Sequence, residues 1–178
     1  MARLFGTDGV RGIANTELGC TLAYRIGQAG AELLRGKGRR ARILIARDTR
    51  ISGNMLYYAL SAGICSMGAE AVDLGVLPTP GAAHMVRAYG ADGAVVVSAS
   101  HNSYEYNGIK WFDNQGYKLP DEMEDRIEAL VRGPERTDLP TGREIGRSIR
   151  AHNAAQEYLQ GITDHVKADM SPFKGVMD

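Results

Sequence analysis

Between positions 97 and 110 the chain reads VSASHNSYEYNGIK, gathering Ser98, Ser100, His101, Asn102, Asn107 and Lys110 into one short polar stretch. These residue types supply a hydroxyl nucleophile, an imidazole that can position a group or handle a proton, amide donors and a cation, the equipment of a group transfer through a side-chain oxygen. The same serines and asparagines would also satisfy the backbone of a polar turn, and their chemistry alone weighs the two readings about evenly. Two further polar clusters adjoin apolar runs. FGTDGVRG (5–12) brackets Thr7, Asp8 and Arg11 with Gly6, Gly9 and Gly12, as a tight loop approaching an anion requires. RDTRISG (47–53) offers Arg47, Asp48, Arg50 and Ser52 just before a helical pattern, whose N-terminus is itself attractive to phosphate. Taken singly, each of these is a weak signal, because glycines usually mean turns and Arg/Asp runs usually mean solvated surface.

The elements that must carry these loops follow from hydrophobic periodicity. Leu22, Ile26, Gly30 and Leu33 recur at helical spacing, with Gly36 where a left-handed stop belongs; Met55, Leu56, Ala59, Leu60 and Ile64 form a second helical face that Gly68 ends. Ala41–Ala46, Ala69–Leu74 and Gly93–Val97 are apolar runs of strand length, with a PTPG turn at 78–81 and a weaker helix over 82–89. Gly108–Phe112 reads as a further strand, 114–116 as a turn, and Asp121 with Glu124 as a capping box before the buried stripe Met123, Ile127, Leu130. This alternation predicts an α/β fold, with largely parallel strands covered by helices and the 97–110 stretch at the carboxyl end of a strand, where ligands bind in such sheets. The Gly- and Pro-rich segment 133–146 reads as a linker or edge closing the domain, and a helix carrying Ala155, Leu159, Ile162 and Val166 follows. The last residues, KGVMD (174–178), look like a strand just beginning, so residues 1–150 are expected to form one domain and 151–178 a linker helix and the truncated start of a second.

Composition narrows the class. The 178 residues are 44% hydrophobic and 24% charged, close to soluble globular averages. Lys plus Arg and Asp plus Glu both count 21, so the whole-chain basic footprint of a nucleic-acid binder is absent. Cys20 and Cys65 fit no metal-ligand spacing or disulfide framework and read as reduced, largely buried thiols. No apolar run has the length of a signal peptide core or a membrane span, so a cytoplasmic protein with neither nucleic-acid nor membrane partner is expected.

Taken together, FGTDGVRG, DTRISG (48–53), PTPG, SASHN (98–102) and NGIK (107–110) resemble the α-D-phosphohexomutase superfamily in order and approximate spacing, over essentially the whole chain. FGTDGVRG and DTRISG look more like its phosphoglucosamine mutase branch than its phosphomannomutase/phosphoglucomutase branch. One departure is that SASHN is commonly followed by proline in this family, whereas Ser103 stands here, leaving the loop freer to move.

The resemblance implies a three-layer domain I with a mixed, largely parallel sheet between helices. It implies Ser100 as a phosphorylated nucleophile, with His101, Lys110 and Arg11 as the other catalytic residues and Thr7, Asp8, Arg47, Arg50, Ser98, Asn102 and Asn107 contacting substrate. Asp48 and Ser52 would line or brace the same cleft. The implied reaction interconverts glucosamine 6-phosphate and glucosamine 1-phosphate through a bisphosphate, with glucose- or glucosamine-1,6-bisphosphate as activator. Magnesium is the implied cofactor, one per active site, held partly by the phosphoryl group on Ser100 and completed by aspartates of a DGDxDR motif absent from this sequence. Further domains of the same chain would complete the site, a homodimer is allowed, and the fragment alone should not turn over. The alternatives are phosphomannomutase or phosphoglucomutase specificity, or a non-catalytic sugar-phosphate-binding phosphoprotein module. His84, His152 and His165 match no motif of the family.

Overall fold

The computed structural model describes residues 3–35, 39–166, 171, 172 and 174–176. In chain order the elements are β1 (Val10–Ile13), α1 (Cys20–Leu33), β2 (Arg42–Arg47), α2 (Gly53–Ser66), β3 (Glu70–Val76), α3 (Thr79–Ala88), β4 (Gly93–Val97), β5 (Tyr106–Asp113), α4 (Asp121–Arg132), β6 (Ser148–Arg150) and α5 (Ala154–His165), with a 3₁₀ turn at Gly142–Glu144. The strands form one sheet in the order β1-β5-β4-β2-β3-β6. β2 runs parallel to both β3 and β4, and β3 parallel to β6; β5 lies antiparallel between β4 and β1. The sheet is therefore mixed and largely parallel, in an α/β fold.

The pleat sorts side chains onto two faces, as the period of two requires. Ile43 and Ile45 of β2, Val95 and Val97 of β4, and Ile109 and Trp111 of β5 point into a core shared with α1, α2 and α4. Their neighbours Leu44, Ala46, Val96 and Phe112 point the other way, into a second core with Met85 and Val86 of α3 and Ala154 of α5. Runs with both faces covered read as continuous apolar sequence, which is why β2 and β4 stand out so clearly.

Helices α1 and α2 approach closely because small residues meet at their crossing. A Cβ on Gly27 would lie 2.4 Å from the Leu60 carbonyl oxygen, and one on Gly63 would lie 2.1 Å from that of Tyr24. Gly30, read as part of the helical stripe, leaves the space that the buried Trp111 ring occupies.

Several local expectations are corrected. The glycine-rich start predicts only a loop, yet Val10–Ile13 is an edge strand paired with β5. PTPG is the start of a helix rather than a separate turn: Pro78 is the N-cap residue of α3, and Pro80 sits in the first turn, where its missing N–H would have had no partner. The capping box does not form, because α4 is capped by Pro120 with Asp121 already helical. Glu124 is instead fully buried, 2.8 Å from Lys118 Nζ. Cys20 is exposed at the first turn of α1 and Cys65 is partly buried. Gly68 does end α2, with φ 81°, whereas Gly36 lies outside the described residues.

The polar segment after α4 is an edge segment. Arg147 and Arg42 both pair with the buried Glu70, at 2.9 and 3.2 Å, and β6 then adds to the free side of β3. Burial would raise the Glu70 carboxyl, but these two guanidinium groups outweigh it and hold it below its ordinary value. α5 leans on α3: Tyr158 meets the His84 ring, and a Cβ on Gly161 would lie 2.5 Å from His84 Nε2. Burial and a hydrogen bond to Glu157 push the Tyr89 phenol up to about 12. Residues 174–176 carry no regular structure, and Phe173, Met177 and Asp178 fall outside the described residues.

Because Gly63 faces backbone rather than a yielding side chain, Gly63→Ala should force the two helices apart and cost about 1–3 kcal/mol. Thermal unfolding followed by circular dichroism would show this as a drop of at least ~2 °C in the midpoint; an unchanged midpoint would contradict the close packing described.

Candidate functional site

The carboxyl ends of β2 and β4, the amino end of β5 and the loops beside them meet at one edge of the sheet. Val97, the last residue of β4, pairs with Ile109, and Asp48 just past β2 donates its amide to the Val97 carbonyl at 3.1 Å. The segment 98–105 bridges β4 to β5 at this edge and carries Ser100.

Ser100 is exposed and has φ 58°, a left-handed conformation that costs a non-glycine residue roughly 1–2 kcal/mol. What holds it there is a ring of hydrogen bonds. Its amide donates to Ser98 Oγ at 3.0 Å, and the Asn102 amide donates to the Ala99 carbonyl at 3.1 Å. Its carbonyl accepts from Arg50, as do those of Asn102, Ser103 and Tyr106. The Ser103 carbonyl also accepts from the Tyr106 amide at 3.1 Å. The Ser100 hydroxyl is left pointing outward, with His101 Nδ1 3.4 Å from its Oγ.

Two cations reach the same edge by strand register. Arg11 of β1 pairs with Gly108 of β5, and Lys110 lies two residues further along, so both share the face opposite Ile109. Gly108 is needed for this: a Cβ there would lie 2.7 Å from the Ser98 carbonyl oxygen and 3.0 Å from Arg11 Cγ. Asp8 gathers the cations, its Oδ1 accepting from Lys110 Nζ at 2.9 Å and its Oδ2 lying 3.2 Å from Arg11 Nη2. The hydrogen bond from Lys110, then the charges of Lys110, Arg11 and His101, hold the Asp8 carboxyl below its ordinary value. Lys110, Arg11 and His101 thus all act on the Asp8 carboxylate, His101 also lying against the Ser100 hydroxyl, and Thr7 is exposed beside Asp8 in the turn closed by Gly6 and Gly9.

Other residues expected to contact substrate are engaged in the scaffold. Asn107 is fully buried, its Nδ2 donating to Ser52 Oγ at 2.9 Å and its Oδ1 accepting from the Gly108 amide at 2.8 Å, so it braces the start of β5 instead of lining a cleft. Arg47 turns toward β3 and α2: Nη1 donates to Asp73 at 2.6 Å, Nε to Asn54 at 2.8 Å, and its guanidinium lies over the Tyr57 ring. Ser98 and Asn102 are half-buried members of the loop itself. His84 packs on α5, and His165 Nδ1 lies 2.6 Å from the Gly161 carbonyl. Among the described residues no group of three or more His, Cys, Asp or Glu side chains is placed to hold a metal ion, and no helix is long and apolar enough to cross a membrane.

Asp48, which the resemblance set to line or brace the cleft, holds Arg50. Its Oδ1 accepts from the Arg50 amide and its Oδ2 from Arg50 Nε, both at 3.0 Å. The D-x-R spacing was the available signal, since an aspartate commonly accepts from the backbone two residues on.

The lowered Asp8 carboxyl gives a pH prediction. A depressed native value means that the ion-pair contribution is fully present above the ordinary carboxylate range and is lost as pH falls through the lowered value. Replacing Lys110 with Met removes the largest cause, so the Asp8 carboxyl should titrate at higher pH in Lys110→Met than in the parent. Carboxyl carbon NMR across an acid titration reads this directly, and coincident titration curves would refute the pairing.

Residues 2–137 match the family described as phosphoglucomutase/phosphomannomutase, alpha/beta/alpha domain I. Over its whole length the chain is 52% identical to a phosphoglucosamine mutase of Clostridium perfringens (strain SM101 / Type A), and 50% identical to one of Acetivibrio thermocellus; it spans 40% of the length of each. A solved structure of a phosphoglucomutase/phosphomannomutase family protein from Burkholderia thailandensis superposes with a TM-score of 0.74 at 27% identity, covering 93% of this chain and 36% of that one. With the order of its motifs, the mixed sheet and a match over most of its length in agreement, the chain belongs to the phosphoglucomutase/phosphomannomutase family through that family's α/β/α domain I.

Proposed function

We propose that this chain is the phosphoryl-carrying part of a phosphoglucosamine mutase, and that Ser100 is the residue that carries the phosphoryl group. The observation that supports this best is the exposed Ser100 hydroxyl, held in a left-handed conformation with His101 against it, while His101, Lys110 and Arg11 all act on the Asp8 carboxylate. The names of relatives about 50% identical over the full chain favour glucosamine phosphate as the substrate class. Because the chain spans only 40% of those relatives, turnover is assigned to a longer protein that contains it.

In this reading phospho-Ser100 donates its phosphoryl group to a free hydroxyl of a hexosamine monophosphate. The bisphosphate so formed reorients and returns its other phosphoryl group to Ser100, interconverting the 6- and 1-phosphates. Phosphoryl transfer leaves little covalent work for the protein, so positioning and charge stabilisation dominate. Lys110 and Arg11 stabilise charge on the equatorial oxygens; Lys110 relays a proton, giving one to the Ser100 oxygen as the phosphoryl group leaves it and taking up the one released by the sugar hydroxyl. His101, against the Ser100 oxygen, orients the group. Asp8 spaces the two cations when no phosphoryl group is present, and Thr7 faces the incoming sugar from the neighbouring turn.

Magnesium fits the residues present in one respect. A phosphoryl group on Ser100 would offer it an oxygen, whereas Asp8 is committed to Lys110 and Arg11. Its remaining ligands are assigned to the parts of the longer protein that this chain does not span. When bound, the ion would supply further neutralisation of the phosphoryl oxygens. A 1,6-bisphosphate of glucose or glucosamine would load Ser100 at the start. Such an enzyme would work in the cytoplasm, and phosphomannomutase or phosphoglucomutase activity are the alternatives within the family.

In the full-length protein, Ser100→Ala should abolish interconversion of the two sugar phosphates and uptake of phosphate from the bisphosphate, read by turnover assay and intact mass. An exposed loop substitution normally changes stability by only about ±0.5 kcal/mol, so circular dichroism should show a folded protein. A folded Ser100→Ala protein with turnover near that of the parent would end the phosphoserine reading.

A further inference from the structure

The function proposed above leaves one strongly engaged side chain without a task. Arg50 is only 11% exposed and has five N–H groups, and each has a distinct acceptor. Nε donates to Asp48 Oδ2 at 3.0 Å; Nη1 donates to the carbonyls of Ser103 and Tyr106 at 2.6 and 3.0 Å; Nη2 donates to those of Ser100 and Asn102 at 2.9 and 2.8 Å. None is left over for a sugar or a phosphate. The expectation that this residue contacts substrate gives way to a different role.

We propose that Arg50 is the positioning residue of the phosphoryl-accepting loop, setting the direction of the Ser100 hydroxyl by holding four loop carbonyls on one guanidinium plane. The proposal rests on the reading of Ser100 as the phosphoryl acceptor. Four carbonyl dipoles of a seven-residue stretch turned toward one point repel each other, and a cation at that point reverses the sign of the interaction. Once the Ser100 carbonyl is fixed, so is the peptide plane that follows it, and the left-handed φ of 58° is held with it. Asp48 orients the guanidinium by gripping both ends of the same residue, its Nε and its backbone amide. The Asp48 charge also offsets that of Arg50, so the clamp adds little net charge at the reacting oxygen and acts through geometry. Lysine cannot replace it, having three donors on one rotating nitrogen and no planar fork.

Arg50→Lys keeps the charge and removes the fork, and in the full-length protein it should lower kcat on the order of 10²-fold with KM for the sugar phosphate within about threefold of the parent. Amide hydrogen exchange over residues 100–106 should accelerate, while exchange in β2 and β4 stays as in the parent. Arg50→Gly should lose activity similarly and regain part of it when methylguanidinium is added, which a substitution that merely loosens the fold would not do. Asp48→Asn, which leaves Arg50 in place but weakens its orientation, should fall between parent and Arg50→Lys and serves as the second variant if Arg50→Lys does not fold. A raised KM with unchanged kcat would make Arg50 a substrate contact and overturn the proposal, as would unchanged exchange over 100–106. If Ser100→Ala remains active, the phosphoserine reading fails, and exchange over 100–106 alone then decides whether the clamp exists.

Discussion

Carbonyl groups are the least accommodating part of a loop, because each must find a donor and water supplies donors without direction. In this protein four of them, from Ser100, Asn102, Ser103 and Tyr106, converge on a single guanidinium that is itself held by Asp48. That convergence fixes the backbone of the segment between β4 and β5, and through it the exposure of Ser100. The surrounding architecture serves this arrangement: the Asp48 amide is tied to the end of β4, and the Asn107–Ser52 hydrogen bond ties the start of β5 to the start of α2. The loop departs from the family pattern at Ser103, yet its carbonyl accepts from both Arg50 and the Tyr106 amide, so the position is held by hydrogen bonds where a proline ring would restrict φ.

Charge at the site is divided by distance. Arg50 and Arg47 are each matched by a carboxylate within the scaffold, Asp48 and Asp73. Among the described residues Lys110 and Arg11 share Asp8 alone, whose side chain is half exposed. Two cations on one carboxylate leave a net positive cluster around Asp8, which suits an anionic group arriving there. Neutrality of the whole chain therefore conceals a local imbalance, built by placing matched pairs inside and the unmatched one at the rim.

The fold was legible where physics is local and repetitive. β2 and β4 announced themselves as short apolar runs because both faces of the central sheet are covered, and α1, α2 and α4 by stripes at helical spacing. β1 was hidden because Val10–Ile13 is four residues long, interrupted by Gly12, and gains its strand geometry only from pairing with β5. The capping box failed for a different reason: Asp121 and Glu124 have the right spacing, but the chain turns so that Pro120 is the cap, and Glu124 is drawn into a buried pair with Lys118 just ahead of α4. At the site, the order of the motifs showed which segments matter, and register then explains why Arg11 and Lys110 share a face. What the residue types did not disclose was the division of labour, since an arginine that binds backbone and one that faces a ligand are identical letters. Only the count of satisfied donors separates Arg50 from Arg11, whose Nε is buried with no hydrogen-bond partner among the described residues.

The order of strands has a consequence for the openness of the site. A parallel neighbour can be reached only by a long crossover, and in this fold α2 and α3 are such crossovers, each laid across the sheet it returns to. The step from β4 to β5 reverses direction and needs only the segment 98–105, so no helix is spent on it. Both faces of β4 and β5 are covered by helices that belong to other connections, so the bridge itself is left at the rim, at the seam where the parallel and antiparallel halves of the sheet join. Exposure of the 98–105 bridge is thus a by-product of topology, and Ser100 lies on it.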